Sequence, residues 1–323
     1  MHIGITYDLR TDYLAAGYSL DDTAEFDCVD TVAAIERALQ RMGHETERIG
    51  HVGRLRARLA VGARWGMVFN IAEGLRGADR EARVPALLEG CGVPYTFSGS
   101  RVLTAGLHKG MSKRLARHAG VRTADFEVVA SLQDAEQCRL PMPLFVKPVA
   151  EGSSKGITAA NVVASRRALA RRCGELLARY RQPVLVETYL PGREFTVGIV
   201  GTGGRAEVLG VMEVLCGDGA EPGGYSYVNK VNFQTCVQYE LATDETARRA
   251  GAMALRVWRY LGCRDAGRVD LRCDANGEPH FLEVNPLAGL HPRHSDMPIL
   301  CRLTGVGLEG LIDLIVASAR LRV

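Results

Sequence analysis

The sequence predicts an α/β (α+β) protein built in three segments, and three observations carry that reading. Strand-like and helix-like runs alternate over the first hundred residues, as they do in a small parallel sheet. A second alternation, broken by a Gly/Ser loop, runs to about residue 190. The last third is rich in strand-like runs and ends in a polar hairpin. At 323 residues the chain is also too long for one small core.

The N-terminal α/β segment, 1–105, opens with a strand near Ile3–Tyr7. A helix from about Thr31 to Met42 follows, with Val32, Ile35 and Leu39 on one face and Gly43 as its stop. A strand at Met67–Asn70, a helix ending near Gly90-Cys91-Gly92 and a strand at Val93–Thr96 complete the segment. The central segment, 106–190, runs from a helix near Lys109–Ala119 through the strand Phe145–Lys147 to the strand Val184–Glu187. The third, 191–323, holds the strand Phe195–Gly201, turns at Gly201-Thr202-Gly203-Gly204 into Ala206–Met212, and continues to the hairpin. That glycine run lacks G-x-G-x-x-G spacing and no helix follows it, so it is a turn and not a dinucleotide fingerprint.

Composition narrows the function class. Hydrophobic residues at 47% and charged residues at 24% describe an ordinary soluble globular chain. A net charge of +3 gives no reason to invoke nucleic acid or a membrane as partner. Arg64, Arg80, Arg83 and the Arg166-Arg167…Arg171-Arg172 group read as solvated helix faces. No run is long enough to span a bilayer. The start, Met1 to Tyr7, has neither a basic n-region nor an apolar h-region, so no signal peptide and a cytoplasmic location are expected. Nine cysteines, an odd number without C-x-x-C spacing, point the same way. Cys91, Cys263 and Cys273 read as small core side chains.

The hairpin carries the first chemical signal. Gly267-Arg268-Val269-Asp270-Leu271-Arg272 and Phe281-Leu282-Glu283-Val284-Asn285-Pro286 alternate polar and apolar residues, with turn formers between them. Residues two apart share a face, so Arg268 and Asp270 on one strand meet Glu283 and Asn285 on the other. Two carboxylates and an amide oxygen suit Mg²⁺. An exposed hairpin face with ordinary polar residues explains the same pattern equally well. A second cluster decides between them. The strand ending in Lys147 runs into Glu151-Gly152-Ser153-Ser154-Lys155-Gly156, whose small residues let backbone N–H groups approach a phosphate. No Walker A run occurs. Joined to the hairpin, this loop reads as holding a nucleoside triphosphate between loop and metal.

At these residues the chain resembles the ATP-grasp superfamily, and within it the D-alanine–D-alanine ligases, from about Phe69 to Pro298. The pieces stand in family order: Asn70 to Gly74, Gly92 to Thr96, Lys109 with Lys113, Lys147-Pro148 with Glu151 to Ser154, Val186-Glu187, Gly192 to Val197, Arg268-Val269-Asp270, and Glu283-Val284-Asn285 leading to Gly289 and Ser295. The resemblance implies an ATP-grasp fold, in which an N-terminal α/β lobe precedes two α+β lobes clamping ATP. It implies ATP-driven amide bond formation between small amino-acid or carboxylate substrates through an acyl phosphate. Lys109, Lys147, Glu151, Ser153 and Ser154 are similar to the family's nucleotide-binding residues. Glu187 matches the position that meets the adenine amino group and Glu194 the ribose position. Asp270, Glu283 and Asn285 would hold two Mg²⁺ ions, with Mn²⁺ an alternative. Arg268 and Gly289 would stabilise the oxyanion, Ser153 would orient the reacting groups, and Ser295 and Glu25 would bind substrate. The glycine-rich stretch from Cys216 to Lys230 reads either as a lid, with Lys230 reaching phosphate, or as a surface loop. Tyr225 and Tyr227 in it serve as lid anchors or as packing. A homodimer is compatible with the resemblance.

Departures fall on the amino-acid half. The early glutamate loop is replaced by Tyr7 to Tyr13 with an insertion running to Asp27, and Glu25 lies one position from the family's place. Ala78-Asp79-Arg80-Glu81 stands for Gly-Glu-Asp-Gly, Phe97 for a glycine, His108 for an aspartate and Ala288 for a proline. Ser295 comes one residue late. Arg10, if it faced the site, would favour an acidic donor. His291 and His294, three apart in a Pro-containing loop, read as surface or substrate-loop residues and not as metal ligands. Two alternatives stay open beside a ligase of other substrates: a true cell-wall D-alanine–D-alanine ligase and a non-catalytic ATP-binding scaffold.

Overall fold

The computed structural model describes residues 1–216 and 237–322. Its first lobe holds β1 (His2–Thr6), α1 (Arg10–Ala15), α2 (Val29–Arg41), β2 (Glu45–Gly50), α3 (Val52–Ala60), β3 (Met67–Asn70), α4 (Arg83–Gly90) and α5 (Ser100–Leu107). The sheet is parallel, in the order β2-β1-β3. Strand β2, Glu-Thr-Glu-Arg-Ile-Gly, escaped the sequence reading because it buries only Ile49 and Gly50 at its end. The expected strand at Val93–Thr96 is instead a single bridge between Val68 and Tyr95. Pro94 has no N–H to extend a ladder, and Phe97 then turns the chain away at φ 70°.

The central lobe follows with α6 (Lys109–His118), β4 (Phe126–Val129), α7 (Leu132–Gln137), β5 (Leu144–Pro148), β6 (Val162–Val163), α8 (Arg166–Tyr180) and β7 (Val184–Thr188). Its strands form an antiparallel sheet in the order β4-β7-β5-β6. His108 takes the capping task at α6, its Nδ1 accepting from the Met111 amide at 3.2 Å.

The last lobe holds β8 (Glu194–Val200), β9 (Glu207–Cys216), β10 (Val237–Leu241), α9 (Glu245–Leu261), β11 (Ala266–Cys273), β12 (Pro279–Asn285), α10 (Asp296–Leu303) and α11 (Gly307–Arg320). The sheet order is β10-β9-β8-β11-β12, with every pairing antiparallel. Helix α9 buries Ala250, Ala254, Val257 and Trp258 against it. Helix α11 shares a core with Val200 and Ala266 of the sheet and also reaches beyond it. Its Leu311, Ile312 and Ile315 join Ile3, Ile5, Ile35 and Leu39 in one apolar core with the first lobe.

Asp265 locks that return. It is fully buried and accepts from the Phe97 amide at 2.7 Å, from Ser318 Oγ at 2.8 Å and from both ends of the Arg322 guanidinium. Arg322 also donates to the Tyr95 carbonyl at 3.0 Å. The hydrogen bond that the Phe97 amide donates to Asp265 helps hold Phe97 at positive φ, a conformation that costs about 1 kcal/mol for a residue other than glycine. Arg322→Met strands the carboxylate and is expected to destabilise the chain by about 3 kcal/mol. A urea midpoint unchanged from wild type would show that the pair adds nothing.

Candidate active site

The hairpin forms in the register its polarity requires. Arg268 stands opposite Asn285 and Asp270 opposite Glu283. Asp274 sets the turn, its Oδ1 accepting from the amides of Asn276 and Glu278 at 2.8 and 2.9 Å. On the polar face Asp270 accepts from Thr196 Oγ1 and from Asn285 Nδ2, both at 3.0 Å, and from the Arg268 guanidinium. Arg268 lies 3.7 Å from Asp296 as well. Burial raises the pKa of Asp270, and Arg268 only partly offsets it. Glu283 is 3.2 Å from Lys109 Nζ. Burial would raise its pKa too, but Lys109, Lys147 and Arg268 hold it down to about 2. Two ionisable carboxylates facing each other with an amide beside them are a hard-oxygen donor set that fits Mg²⁺. Among the described residues no group of three or more His, Cys, Asp or Glu gathers as a metal cage. Mg²⁺ takes few protein ligands and fills its other positions with water and phosphate oxygens.

The Gly/Ser loop leaves β5 directly after Lys147. Ser153 and Ser154 adopt φ 48° and 56°, and Gly156 adopts 73°, so three left-handed residues turn the chain tightly beside the hairpin. The turn is pinned from outside. Arg172 donates to the Gly156 carbonyl at 3.1 Å and to Asn161 Oδ1 at 2.8 Å, and Asn161 Nδ2 donates to Gly156 O at 2.9 Å. At the other end Gly152 N donates to Glu25 Oε1 at 2.5 Å, and Arg80 bridges Glu25 Oε2 at 2.6 Å and the Ala150 carbonyl at 2.8 Å. Arg80 and Arg172 are thus not solvated helix residues as expected. Arg80 is drawn inward by acceptors far along the chain, and Arg172 by Asn161 and Gly156 in the loop before its helix. Glu151 is engaged within the loop by Gln182 Nε2 at 2.6 Å and Lys155 Nζ at 2.5 Å, while its carbonyl accepts from Lys109. Cys91 also departs from expectation: it is exposed past the end of α4, whereas Cys263 and Cys273 are buried.

Between the two lobes lies a slot of mixed lining, in which Phe145, Ile157, Leu190 and Leu282 supply the apolar surface and Glu187 and Glu194 stand among the polar groups. Glu194 is 3.4 Å from Arg272. Glu187 lies between two lysines, Lys113 at 2.6 Å and Lys147 at 2.9 Å. Burial would raise the Glu187 pKa, but the two ammonium groups bring it to about 2.

A separate cavity of about 610 Å³ opens on the other side of Arg268 and Glu283. Ser153, Asn285, Gly289 and Ser295 line one part of it, and Ser295 Oγ accepts from the His291 amide at 3.0 Å. A Cβ at Gly289 would lie 2.8 Å from Ser295 Oγ, so a side chain there would displace that hydroxyl. His291 and His294 stack at 4.2 Å on the cavity edge. His291 Nδ1 accepts from the amides of Arg293 and His294 at 3.2 Å, which fixes this loop. Glu25, Asp27, Glu73 and Glu81 form the first lobe's wall. Burial pushes Asp27 and Glu81 up to about 7 and Glu73 well above the usual carboxylate range. Arg10 does not face the cavity with a free charge. It donates to the carbonyls of Thr23 and Ala24 at 3.1 and 2.8 Å and so orders the insertion.

The fold thus brings Arg268, Asp270, Glu283, Asn285, Lys109, Lys147, Ser153 and Ser154 into one cleft, with Glu187 and Glu194 at its far side and Gly289, Ser295 and Glu25 across the cavity. Lys230, Tyr225 and Tyr227 lie outside the described residues. Sequence reading missed Arg80, Arg172, Asn161 and the part played by Lys113. The Asn161 signal was present as a Thr-x-x-Asn cap, Thr158 N donating to Asn161 Oδ1 at 2.9 Å. The others depend on partners outside their own elements. No helix among the described residues is long and apolar enough to cross a membrane.

Comparison with known proteins adds independent findings. The model of the D-ala D-ala ligase C-terminus family matches residues 113–317. The chain is 35% identical over 259 residues to a D-alanine–D-alanine ligase of Cupriavidus necator, covering 79% of this chain and 76% of the relative. It is 33% identical over 294 residues to one from Bordetella petrii, covering 90% and 86%. Among solved structures, the D-alanine–D-alanine ligase of Bacillus anthracis complexed with ATP superposes with a TM-score of 0.75 at 20% identity, over 100% of this chain and 98% of the other. The VanG D-Ala:D-Ser ligase of Enterococcus faecalis gives 0.74 at 18% identity, over 98% and 99%.

Proposed function

The chain belongs to the D-alanine–D-alanine ligase family of ATP-dependent, peptide-bond-forming ligases, and from that premise we propose that it joins an amino-acid donor to an amino-acid acceptor through an acyl phosphate. The carrying observation is the position of Arg268, which lines both the nucleotide slot and the substrate cavity. Two small molecules and a γ-phosphate can therefore meet at one guanidinium. The segments 1–105, 106–190 and 191–323 are proposed as the lobes that enclose them.

The proposed chemistry balances in two steps. A donor carboxylate oxygen attacks the γ-phosphorus, the bond to the β–γ bridging oxygen breaks, and ADP leaves. The acceptor amine then attacks the acyl carbon, phosphate leaves with the C–O bond electrons, and the amine proton is lost to solvent. Lys109 and Lys147 neutralise phosphate charge from the hairpin side and from the loop side. Ser153 and Ser154 offer hydroxyl and amide donors at the turn, and Glu151 keeps that turn in shape. Arg268 and the Gly289 backbone face the oxyanion of the second step, where a fixed charge lowers the barrier most. Ser295 binds the acceptor carboxylate. Glu187 and Glu194 receive the adenine amino group and the ribose. Asp270, Glu283 and Asn285 would hold Mg²⁺, which when bound screens the transferring phosphoryl group. Glu25 shapes the donor pocket from the position Arg80 and Gly152 give it.

Phosphate release from ATP, measured with pairs of D- and L-amino acids, tests this reading. Release that requires two amino acids and yields a dipeptide is the expected result. ATP hydrolysis indifferent to every amino acid, or none at all, would sink it and favour a nucleotide-binding scaffold.

A further inference from the structure

Lys113 has no part in the roles above, yet it is fully buried. Three acceptors surround its ammonium: Glu187 Oε2 at 2.6 Å, Thr123 Oγ1 at 2.8 Å and the Phe281 carbonyl at 3.2 Å. Three is all an ammonium can serve. A dry, unpaired ammonium would be expensive, so these contacts hold both Lys113 and what it touches. The partners come from different sheets. Glu187 is on β7, whereas Phe281 is on β12, two residues before Glu283. Thr123 Oγ1 also donates to Phe281 O at 2.7 Å, closing the triangle.

The two oxygens of Glu187 are divided. Lys113 takes Oε2 and Lys147 takes Oε1 at 2.9 Å. Lys147 stands beside the Gly/Ser loop, so a bound triphosphate competes for it. Lys113 has no such competitor in its sealed position. A triphosphate that drew Lys147 away would open Oε1 towards the slot and leave Oε2 held by Lys113.

We propose that Lys113 is a positioning residue that sets nucleobase choice, keeping Glu187 ionised as an acceptor for a 6-aminopurine and tying that acceptor to the strand that carries Glu283. The inference rests on the reading of Glu187 as the base-recognition residue. An ionised carboxylate accepts hydrogen bonds and donates none. It therefore favours the amino group of ATP and opposes the 6-oxo group of ITP. Without Lys113, burial drives Glu187 to take up a proton once phosphate draws Lys147 away. A neutral carboxyl donates as well as accepts, and the distinction collapses.

The test is displacement of a fluorescent ATP analogue from the full chain by ATP and by ITP, with Mg²⁺ present. Wild type is expected to prefer ATP by about a hundredfold. Lys113→Met should bring the ratio below about tenfold, Lys113→Arg should restore it, and Glu187→Gln, whose amide also donates, should match the methionine variant. The ratio of Lys113→Met should recover as pH rises from 7 to 9 and Glu187 ionises again. A lysine that merely supports the fold weakens both nucleotides alike, so an unchanged ratio overturns the proposal, as does a wild type indifferent to the base. If Lys113→Met lacks the wild-type melting profile, Lys113→Gln is read by the same ratio. Because only binding is measured, a chain that releases no phosphate with any amino acid overturns the ligase reading and leaves this one to be judged by its ratio.

Discussion

Glu283→Gln is expected to lower amino-acid-dependent phosphate release by about a thousandfold while the chain keeps its fold, the scale set by loss of a principal charge-stabilising group. The substitution is nearly isosteric, and the amide oxygen can still accept from Lys109 at the 3.2 Å position. What disappears is the negative charge that Lys109, Lys147 and Arg268 together hold ionised, with a pKa of about 2. Asp270 across the hairpin cannot replace it. Its own charge is already matched by Arg268, and burial pushes its pKa up. Two measurements decide the matter: phosphate release over a Mg²⁺ titration, and a thermal melt. A native melt with activity that higher Mg²⁺ does not recover is expected. Wild-type turnover by a folded Glu283→Gln chain would remove the hairpin from the list of metal sites.

That hairpin was legible in the sequence because everything it needs is local. Arg268 and Asp270 are two apart, as are Glu283 and Asn285, and period two alone places each pair on one face. A turn-rich spacer then fixes the register between them. The glycine loop was legible for the same reason, and the ordered motifs gave the family. Illegible features share the opposite property. Arg80 pairs with Glu25 across 55 residues of chain, Arg172 reaches back to Gly156, and α11 packs on the first lobe from the far end of the sequence. Nothing in the neighbourhood of Arg80 distinguishes it from Arg83, which stays on the surface with Asp79. Arg10 is the instructive case. Its charge suggested an acidic donor, but its guanidinium serves two backbone carbonyls, and the cavity wall it borders is carboxylate.

That wall predicts the donor. D-alanine supplied alone should release phosphate at about a hundredth of the rate given by a donor with a second cationic group, such as ornithine or lysine, because a site built around buried polar groups penalises a ligand that leaves them unpaired. Both carboxylate oxygens of Glu25 are engaged by Arg80 and Gly152, and Arg80 is the cation that Glu25 and Glu81 share, at 2.6 and 4.0 Å. Glu73, Glu81 and Asp27 therefore face the cavity with less positive charge than they need. Their raised pKa values, about 7 for Glu81 and Asp27, are how the free protein answers. The sign of the pH effect follows. A carboxyl whose folded pKa lies above its unfolded value binds extra protons in the folded state, so between pH 4 and 7 these groups make the free protein less stable as pH rises, in the window set by the two pKa values of about 7. A cationic donor binds the ionised forms, lowers those pKa values and expels protons. Its KM should consequently fall as pH rises from 6 to 8. Glu73→Gln and Glu81→Gln should each narrow the gap between the diamino donor and D-alanine. Turnover with D-alanine alone on the order of 1–100 per second, undiminished beside the diamino acids, would mean that the wall is neutralised in some other way and that D-alanine is the natural donor.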